Sequence, residues 1–378
     1  MPVIKRLTFI GLEYAFAPEK AYGMSRGGGF RRQGGLVEVE TDAGVTGIGE
    51  AFGNPLVTLE YFRMVEPLFV GKSIFDFDHV EARVRNAMYH LGVGNQLTAC
   101  LAAINVALWD AIARGFRVRV CDLIGGCATT RIPAYASTGF FSNDPDRQLD
   151  HMLAEAAGHP YAGAKIKIGR GIKDDVARVR RAREALGSDK LLMVDINGAY
   201  TADTALECAR AIEPFAVHWI EEPLPPGDLR GYAELRLRSP IPLAAGEAHH
   251  TVRDFRALID GRCIDIVQPS VPGTGGLTEA KRIATLAHAQ NLRVAPHVWG
   301  GAIGLATACH FIASLPNTPH TDHPPHPLML EYDMSDNALR TQLLKKPLVL
   351  EAGHILLPDG PGLGVELDRD AVERYRVC

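Results

Sequence analysis

The chain changes texture twice along its length. From Val3 to Glu50 apolar and polar residues alternate in two runs, VIKRLTFIGLEY and GLVEVET, and the second leads through a turn signal into AGVTGIGEA. Alternation with a period of two, punctuated by glycine, predicts a small antiparallel sheet. Between residues 58 and 115 the period lengthens: Leu97, Leu101, Ile104, Ala107, Leu108 and Ile112 recur at three or four positions, as in helices with a buried stripe. A sheet followed by helices is an α+β layer.

From Pro133 onward short apolar runs end in polar residues, and each is followed by a stretch of helical composition. The runs are PAYASTGF, AKIKIG, LLMVDING, HWIEEP, PLAAGEA, IDIVQPS and RVAPHVWG, and HPLMLEYD is a less regular eighth. Parallel strands covered on both faces have this near-continuous apolar character. The predicted fold is α/β: a modified TIM barrel, (β/α)7β, with an N-terminal α+β capping domain. Residues 1–130 are assigned to the capping domain with a substrate lid, 131–335 to the barrel, and 336–378 to a C-terminal segment. Strand and turn signals in PLVLEAGHILLPDGPGLGVELD predict that this segment returns to the capping domain.

Composition narrows the function classes. Across 378 residues, 40 basic and 44 acidic side chains leave a formal charge of −4, which excludes a basic nucleic-acid binder. Hydrophobic residues at 47% and charged residues at 22% suit a packed globular protein. Seven cysteines, an odd number without a C-x-x-C pair, are expected as reduced thiols. The N-terminus lacks a signal-peptide pattern and no run of 18 apolar residues occurs, so a cytoplasmic protein with no membrane partner is expected.

The candidate chemistry lies at the ends of the apolar runs. Lys167, Asp195, Glu221, Glu247, Ser270 and His297 follow one another at intervals of 28, 26, 26, 23 and 27 residues. In a β/α barrel those ends converge on the face where active sites form. Three convergent carboxylates, Asp195, Glu221 and Glu247, would repel one another unless a cation held them, and an all-oxygen set suits magnesium; taken singly, each would pass as a solvated loop residue. Alternation points Glu222 away from Glu221. It places Lys165 and Lys167 together on the barrel interior, where desolvation beside a second cation lowers an ammonium pKa and prepares Lys167 as a general base. Lys165 is assigned to neutralise a substrate carboxylate. His297 stands across the barrel, and Glu331, on the eighth strand, is expected as a protonated acid donating to enolate charge. Trp299 either walls the pocket or packs. His320, His323 and His326 are expected on a proline-rich surface loop.

Taken together, AKIKIG, VDIN, WIEEP, AAGEA, VQPS with GTGG, VAPHVWG and PDGPGLGVELD resemble the enolase superfamily, in its mandelate racemase and muconate lactonizing enzyme branch, and the resemblance covers nearly the whole chain. It implies one magnesium ion per subunit on Asp195, Glu221 and Glu247, base chemistry from Lys167, and His297 as the opposing acid or base. The substrate would be a small anionic carboxylate that loses its α-proton to give an enolate, and the assembly a symmetric homo-oligomer. The segment with Tyr22, Arg26, Arg31 and Arg32 stands where the family places a lid. Substrate contacts are assigned to Tyr22, Arg26, Asn197, Ser270 and Trp299. Ser270 departs from the family pattern, in which racemases carry an aspartate on the sixth strand, hydrogen-bonded to the histidine. Without that carboxylate two-base racemisation is disfavoured. Elimination from an acid sugar, as cycloisomerase or dehydratase, is the expected reaction; racemisation or epimerisation of a hydroxy or amino acid, and a non-catalytic binding role, are the alternatives.

Overall fold

In a computed structural model, described for residues 1–92, 94–142, 144 and 148–378, the N-terminal layer is built on three antiparallel strands. They are β1 (Ile4–Ala15), β4 (Arg31–Thr41) and β5 (Thr46–Phe52), in the order β1-β4-β5. The segment between β1 and β4, expected as a loop, holds a short antiparallel hairpin of β2 (Tyr22–Met24) and β3 (Gly27–Gly29). Helices α1 (Pro55–Phe69), α2 (Phe77–Ala87), α3 (Asn95–Phe116) and α4 (Val120–Ile124) follow.

Helix α3 is apolar nearly all round rather than striped, because the sheet covers one side and the barrel the other. By length and composition it alone among the described helices would span a membrane, yet 89% of its apolar window is buried, as in a core helix. Glycine lets β5 approach it: a Cβ at Gly47 or Gly49 would lie 2.1 Å from the carbonyl oxygen of Ala107 or Ala103. Asp110 of α3 accepts the backbone N–H of Ile48 at 2.9 Å and of Leu363 at 2.7 Å, tying the sheet and the C-terminal segment to one helix.

The barrel strands are β6 (Arg131–Thr138), β7 (Gly163–Lys167), β8 (Leu191–Asp195), β9 (Val217–Glu221), β10 (Leu243–Ala245), β11 (Ile266–Val267), β12 (Arg293–Val294) and β13 (Leu330–Asp333). Seven helices alternate with them: α5 (Leu149–Gly158), α6 (Ile172–Leu186), α7 (Ala202–Ile212), α8 (Leu229–Arg236), α9 (Val252–Asp260), α10 (Leu277–Ala289) and α11 (Ala302–Ala313). Parallel pairing runs without a gap from β12 back to β6 and on to β13. No backbone ladder joins β12 to β13 among the described residues. The curl is drawn together by side chains instead: Tyr135, Met193, Trp219, Ala244, Ile266, Ala295 and Met329, from seven of the eight strand segments, form one interior cluster.

The C-terminal segment adds a hairpin to the barrel in addition to meeting the N-terminal layer. After α12 (Ala338–Thr341), β14 (Leu350–Glu351) and β15 (His354–Leu356) form a hairpin that adds to the barrel, with β15 antiparallel to Arg131–Pro133 of β6. The reason is an open edge: β13 pairs only with Ala134–Ser137, leaving the first residues of β6 without a neighbour on that side. The segment meets the N-terminal layer at several points: α12 packs on β1, Tyr14 Oη donates to Asp336 at 2.8 Å, α13 (Arg369–Tyr375) packs on β1, and Gly11 donates to the Cys378 carbonyl at 2.8 Å. All seven cysteines are free thiols.

Candidate active site

Strand alternation builds the site one layer above the apolar plug. Two residues beyond Met193, Trp219, Ile266, Ala295 and Met329 stand Asp195, Glu221, Gln268, His297 and Glu331. Every one of these five is buried. Carboxylate oxygens of Asp195, Glu221 and Glu247 lie within 4.8 Å of one another, the one convergent group of three or more metal-ligating side chains among the described residues.

Lys165 and Lys167 face this triangle, 1% and 5% exposed. Lys165 makes ion pairs with Glu221 and, at 2.8 Å, with Glu331; Lys167 Nζ sits 2.5 Å from Asp195 Oδ2. Here the expectation of lowered lysine pKa values is corrected. Burial does push both ammoniums down, but the carboxylates outweigh it: Glu221 and Glu331 hold Lys165 well above the ordinary lysine value, and Asp195 raises Lys167. A divalent cation among those carboxylates opposes this rise, because it takes over their charge.

Glu331 also differs from its expected role as a protonated donor. Burial favours its neutral form, but Lys165 and His297 outweigh burial and hold its pKa below the usual carboxylate value. It is ion-paired with Lys165 at 2.8 Å and accepts the Val298 N–H at 3.0 Å.

His297 Nε2 lies 3.4 Å from Glu247 Oε2. Its Nδ1 is buried and has no hydrogen-bond partner. Register explains why Ser270 bears on this: Val267 pairs with Val294, so Ser270 and His297 stand three residues beyond partners on adjacent strands.

Of the residues expected to form a lid, Tyr22 and Arg32 are buried, Arg26 is exposed but bonded to the scaffold, and Arg31 is exposed beside Glu13. Arg26 Nε donates to the Asn197 carbonyl at 2.5 Å and Ser25 Oγ to the Ile196 carbonyl at 2.6 Å, clamping the β2–β3 hairpin to the loop after β8. Asn197 donates its backbone N–H to Asp195 Oδ1 at 2.8 Å. Tyr22 is 6% exposed and packs edge-on to Trp299, with ring centroids 6.0 Å apart. Trp299 does wall the site: Arg32 lies 4.2 Å from its ring centroid, Lys167 5.5 Å, and the His297 ring stacks at 6.4 Å. Arg32 reaches on to Asp333 at 2.7 Å.

Sequence reasoning misplaced Glu222, missed Gln268 in the site, and missed Glu50 behind it. Glu222 does not point away: its φ of +38° breaks the alternation, and burial followed by Glu247 and Asp195 raises its pKa well above the carboxylate value. Gln268 donates to Glu221 Oε2 at 2.6 Å, beside Trp219 Nε1 at 3.3 Å; its place two residues beyond Ile266 was the available signal. Glu50, from the other layer, carried none. The histidine loop disperses, His326 lying against His218 and His320 against His288.

The donor set is all hard oxygen, which suits magnesium. The buried polar atoms without partners, which occur at several places in the chain, include Tyr135 Oη, Ser137 Oγ, Asn197 Oδ1, Glu222 Oε1 and His297 Nδ1 on the barrel strands and their ends.

Comparison with known proteins agrees with this geometry. Residues 147–371 match the family described as enolase C-terminal domain-like, and residues 17–125 match the mandelate racemase / muconate lactonizing enzyme N-terminal domain. The chain is 34% identical over 349 residues to D-galactarolactone cycloisomerase of Agrobacterium fabrum, covering 92% of each, and 29% identical to arabinonate dehydratase of Saccharolobus solfataricus, covering 90% of this chain and 89% of that protein. The crystal structure of 3,6-anhydro-D-galactonate cycloisomerase from Zobellia galactanivorans superposes with a TM-score of 0.87 at 32% identity over the whole of both chains. That of a racemase from Streptomyces coelicolor with bound magnesium gives 0.86 at 26% identity, over 99% of this chain and all of that one. A barrel mouth carrying K-x-K opposite three carboxylates, under an N-terminal α+β layer of matching family, places this chain in the mandelate racemase and muconate lactonizing enzyme branch of the enolase superfamily.

Proposed function

We propose that the chain is an acid-sugar lyase or isomerase that removes the α-proton of a carboxylate substrate and then expels the β-oxygen, opening a lactone-type ring or losing water. The observation that carries this is the asymmetry of the site. One side holds two buried lysines among carboxylates, and the other holds a histidine whose Nδ1 has no partner to orient it. Such an imidazole is a poor second base but can still donate a proton.

In this reading Lys167, next to the Trp299 wall, takes the α-proton at Nζ as a neutral amine, a form it reaches when the charge of Asp195 that raises its pKa is neutralised. Lys165, fixed by Glu221 and Glu331, places positive charge beside the substrate carboxylate as the enolate forms. The β C–O bond then breaks with its electron pair going to oxygen. In dehydration that oxygen takes a proton from His297 Nε2 and leaves as water; in ring opening it stays on the product. The resulting enol rearranges to a keto-deoxy acid. Asp195, Glu221 and Glu247 would hold one magnesium ion per subunit, which would supply positive charge to offset the negative charge developing on the substrate oxygens. Trp299 and the clamped β2–β3 hairpin exclude water from this face. The same proposal includes a symmetric homo-oligomer, read out by light scattering.

The test is proton NMR in heavy water with magnesium against a panel of acid sugars, their lactones and simple hydroxy and amino acids. Loss of an α-proton signal with a new keto-deoxy product is the expected result, with Lys167→Ala losing it by about 10²- to 10⁴-fold. Exchange without a new product would replace elimination by epimerisation. Activity unchanged in Lys167→Ala would overturn the assignment of the base.

A further inference from the structure

Glu50 is a buried acidic side chain that the chemistry above does not use; burial pushes its carboxyl up against the pull of the Gly301, Gly304 and Ile303 N–H groups. It lies on β5 of the N-terminal layer and is 6% exposed, yet its carboxylate is satisfied by the other domain. Oε1 accepts the Gly301 N–H at 2.5 Å and Oε2 the Gly304 N–H at 2.8 Å. These are donors at the start of α11, which has no capping side chain of its own at Gly301. Negative charge at that end also complements the helix dipole.

The surrounding backbone is shaped to this carboxylate. A Cβ at Gly300, Gly301 or Gly304 would stand 2.6, 3.0 or 3.3 Å from a Glu50 oxygen. Three glycines in WGGAIG therefore form a cup that only a side chain from the other layer fills. The cup begins immediately after His297, Val298 and Trp299. The rest of that loop is held at other points: Val298 N–H by Glu331 at 3.0 Å, the Gly300 carbonyl by Asn337 Nδ2 at 3.1 Å, and the Trp299 ring by Arg32.

We propose that Glu50 is a positioning residue: by holding the first turn of α11 from the N-terminal layer, it fixes the loop that presents His297 to the substrate. The inference about His297 rests on the proposed function; the structural hold does not. A histidine displaced by about 1 Å is enough to cost on the order of 10²-fold in rate. The N-terminal layer then contributes to catalysis through a helix cap as well as through its lid.

The experiment compares the wild-type chain with Glu50→Ala and Glu50→Asp. Asp keeps the charge but is one methylene too short to meet both donors, so it is the variant expected to fold if Ala does not. Hydrogen–deuterium exchange by mass spectrometry should show peptides spanning 297–304 exchanging at least about tenfold faster in either variant, while peptides of α10 are unchanged. On the substrate found by NMR, kcat should fall at least about tenfold with KM and magnesium affinity within about threefold. Added formate should restore much of kcat in Glu50→Ala, since a small carboxylate refills the glycine cup, whereas formamide should not. Unchanged exchange over 297–304 would overturn the hold. Faster exchange with unchanged kcat, or a loss of kcat that formate leaves in place, would reduce Glu50 to a structural cap and overturn the positioning role. If the wild-type chain turns over none of the acids, the functional reading fails while the exchange measurement still decides the hold.

Discussion

The charge balance around Lys167 makes a quantitative prediction that ties the lysine to the metal. Lys167 Nζ lies 2.5 Å from Asp195 Oδ2, and both residues are buried, so the pair is poorly screened. Replacing the lysine by glutamine keeps much of the volume and a hydrogen bond but leaves Asp195 only the more distant Lys165, 3.9 Å away and already shared with Glu221 and Glu331. Removing one partner of a buried pair costs about 3–5 kcal/mol, and the retained hydrogen bond places Lys167→Gln near about 3 kcal/mol. Because the lysine pKa is raised in the folded protein, its stabilisation is complete below the ordinary value of 10.5 and is lost only as pH rises through the raised one; at neutral pH the whole effect is measured. Magnesium on Asp195, Glu221 and Glu247 would compensate the same carboxylate. With saturating magnesium, the loss should therefore shrink to about 1 kcal/mol, and by linkage the variant should bind magnesium about 30-fold more tightly, equivalent to about 2 kcal/mol. Urea unfolding in chelator and in magnesium, with calorimetric titration of the metal-free proteins, measures both. Equal destabilisation in the two conditions, or weaker magnesium binding by the variant, would refute the idea that the ammonium and the metal share these charges.

Two further perturbations probe the walls of the site. Arg32 pairs with Asp333 at 2.7 Å, both buried, while Arg340 also approaches Asp333 at 3.3 Å, so Arg32→Met should cost about 2–3 kcal/mol rather than the full penalty. Burial pushes the Asp333 carboxyl up, but Arg32 and Arg340 outweigh it and hold its pKa below the ordinary 3.8; its stabilisation is present above that value and lost as pH falls through the folded one. The acid limb of stability below about pH 4 should accordingly be flatter in Arg32→Met, and superimposable limbs would contradict this. Ser270→Asp places a carboxylate on the strand beside His297, whose Nδ1 has no partner. Wash-in of deuterium to the opposite stereoisomer should rise about tenfold, the scale on which such supporting partners act, and no change would show that something other than the missing aspartate restrains the histidine.

Much of the site was legible because strand chemistry is local. AKIKIG shows by alternation alone that two lysines share a face, and both are buried in the barrel. The intervals between Asp195, Glu221 and Glu247 repeat because each strand, helix and return loop has a similar length, and their oxygens converge within 4.8 Å. The same logic would have reached Gln268. It failed at Glu222, because alternation holds only while the backbone stays extended and this residue turns to a φ of +38°.

Local pattern carried no information where the effect depends on what lies opposite. The sign of the lysine shifts is one case: burial lowers an ammonium pKa, but the number and distance of facing carboxylates decide the outcome, and these come from four other strands or their ends. The C-terminal hairpin is another, since its strand signals were plain while its partner was set by an unfilled edge on β6. Glu50 is the furthest from sequence, sitting 251 residues before the Gly301 N–H it accepts. By itself the sequence determined the barrel strands, the face each polar residue takes while the strand is regular, and the three carboxylates that converge. Tertiary structure alone decided which charges meet, which backbone donors a buried carboxylate satisfies and how far each proton is held, because these energies depend on distance and burial between segments that have no local relation.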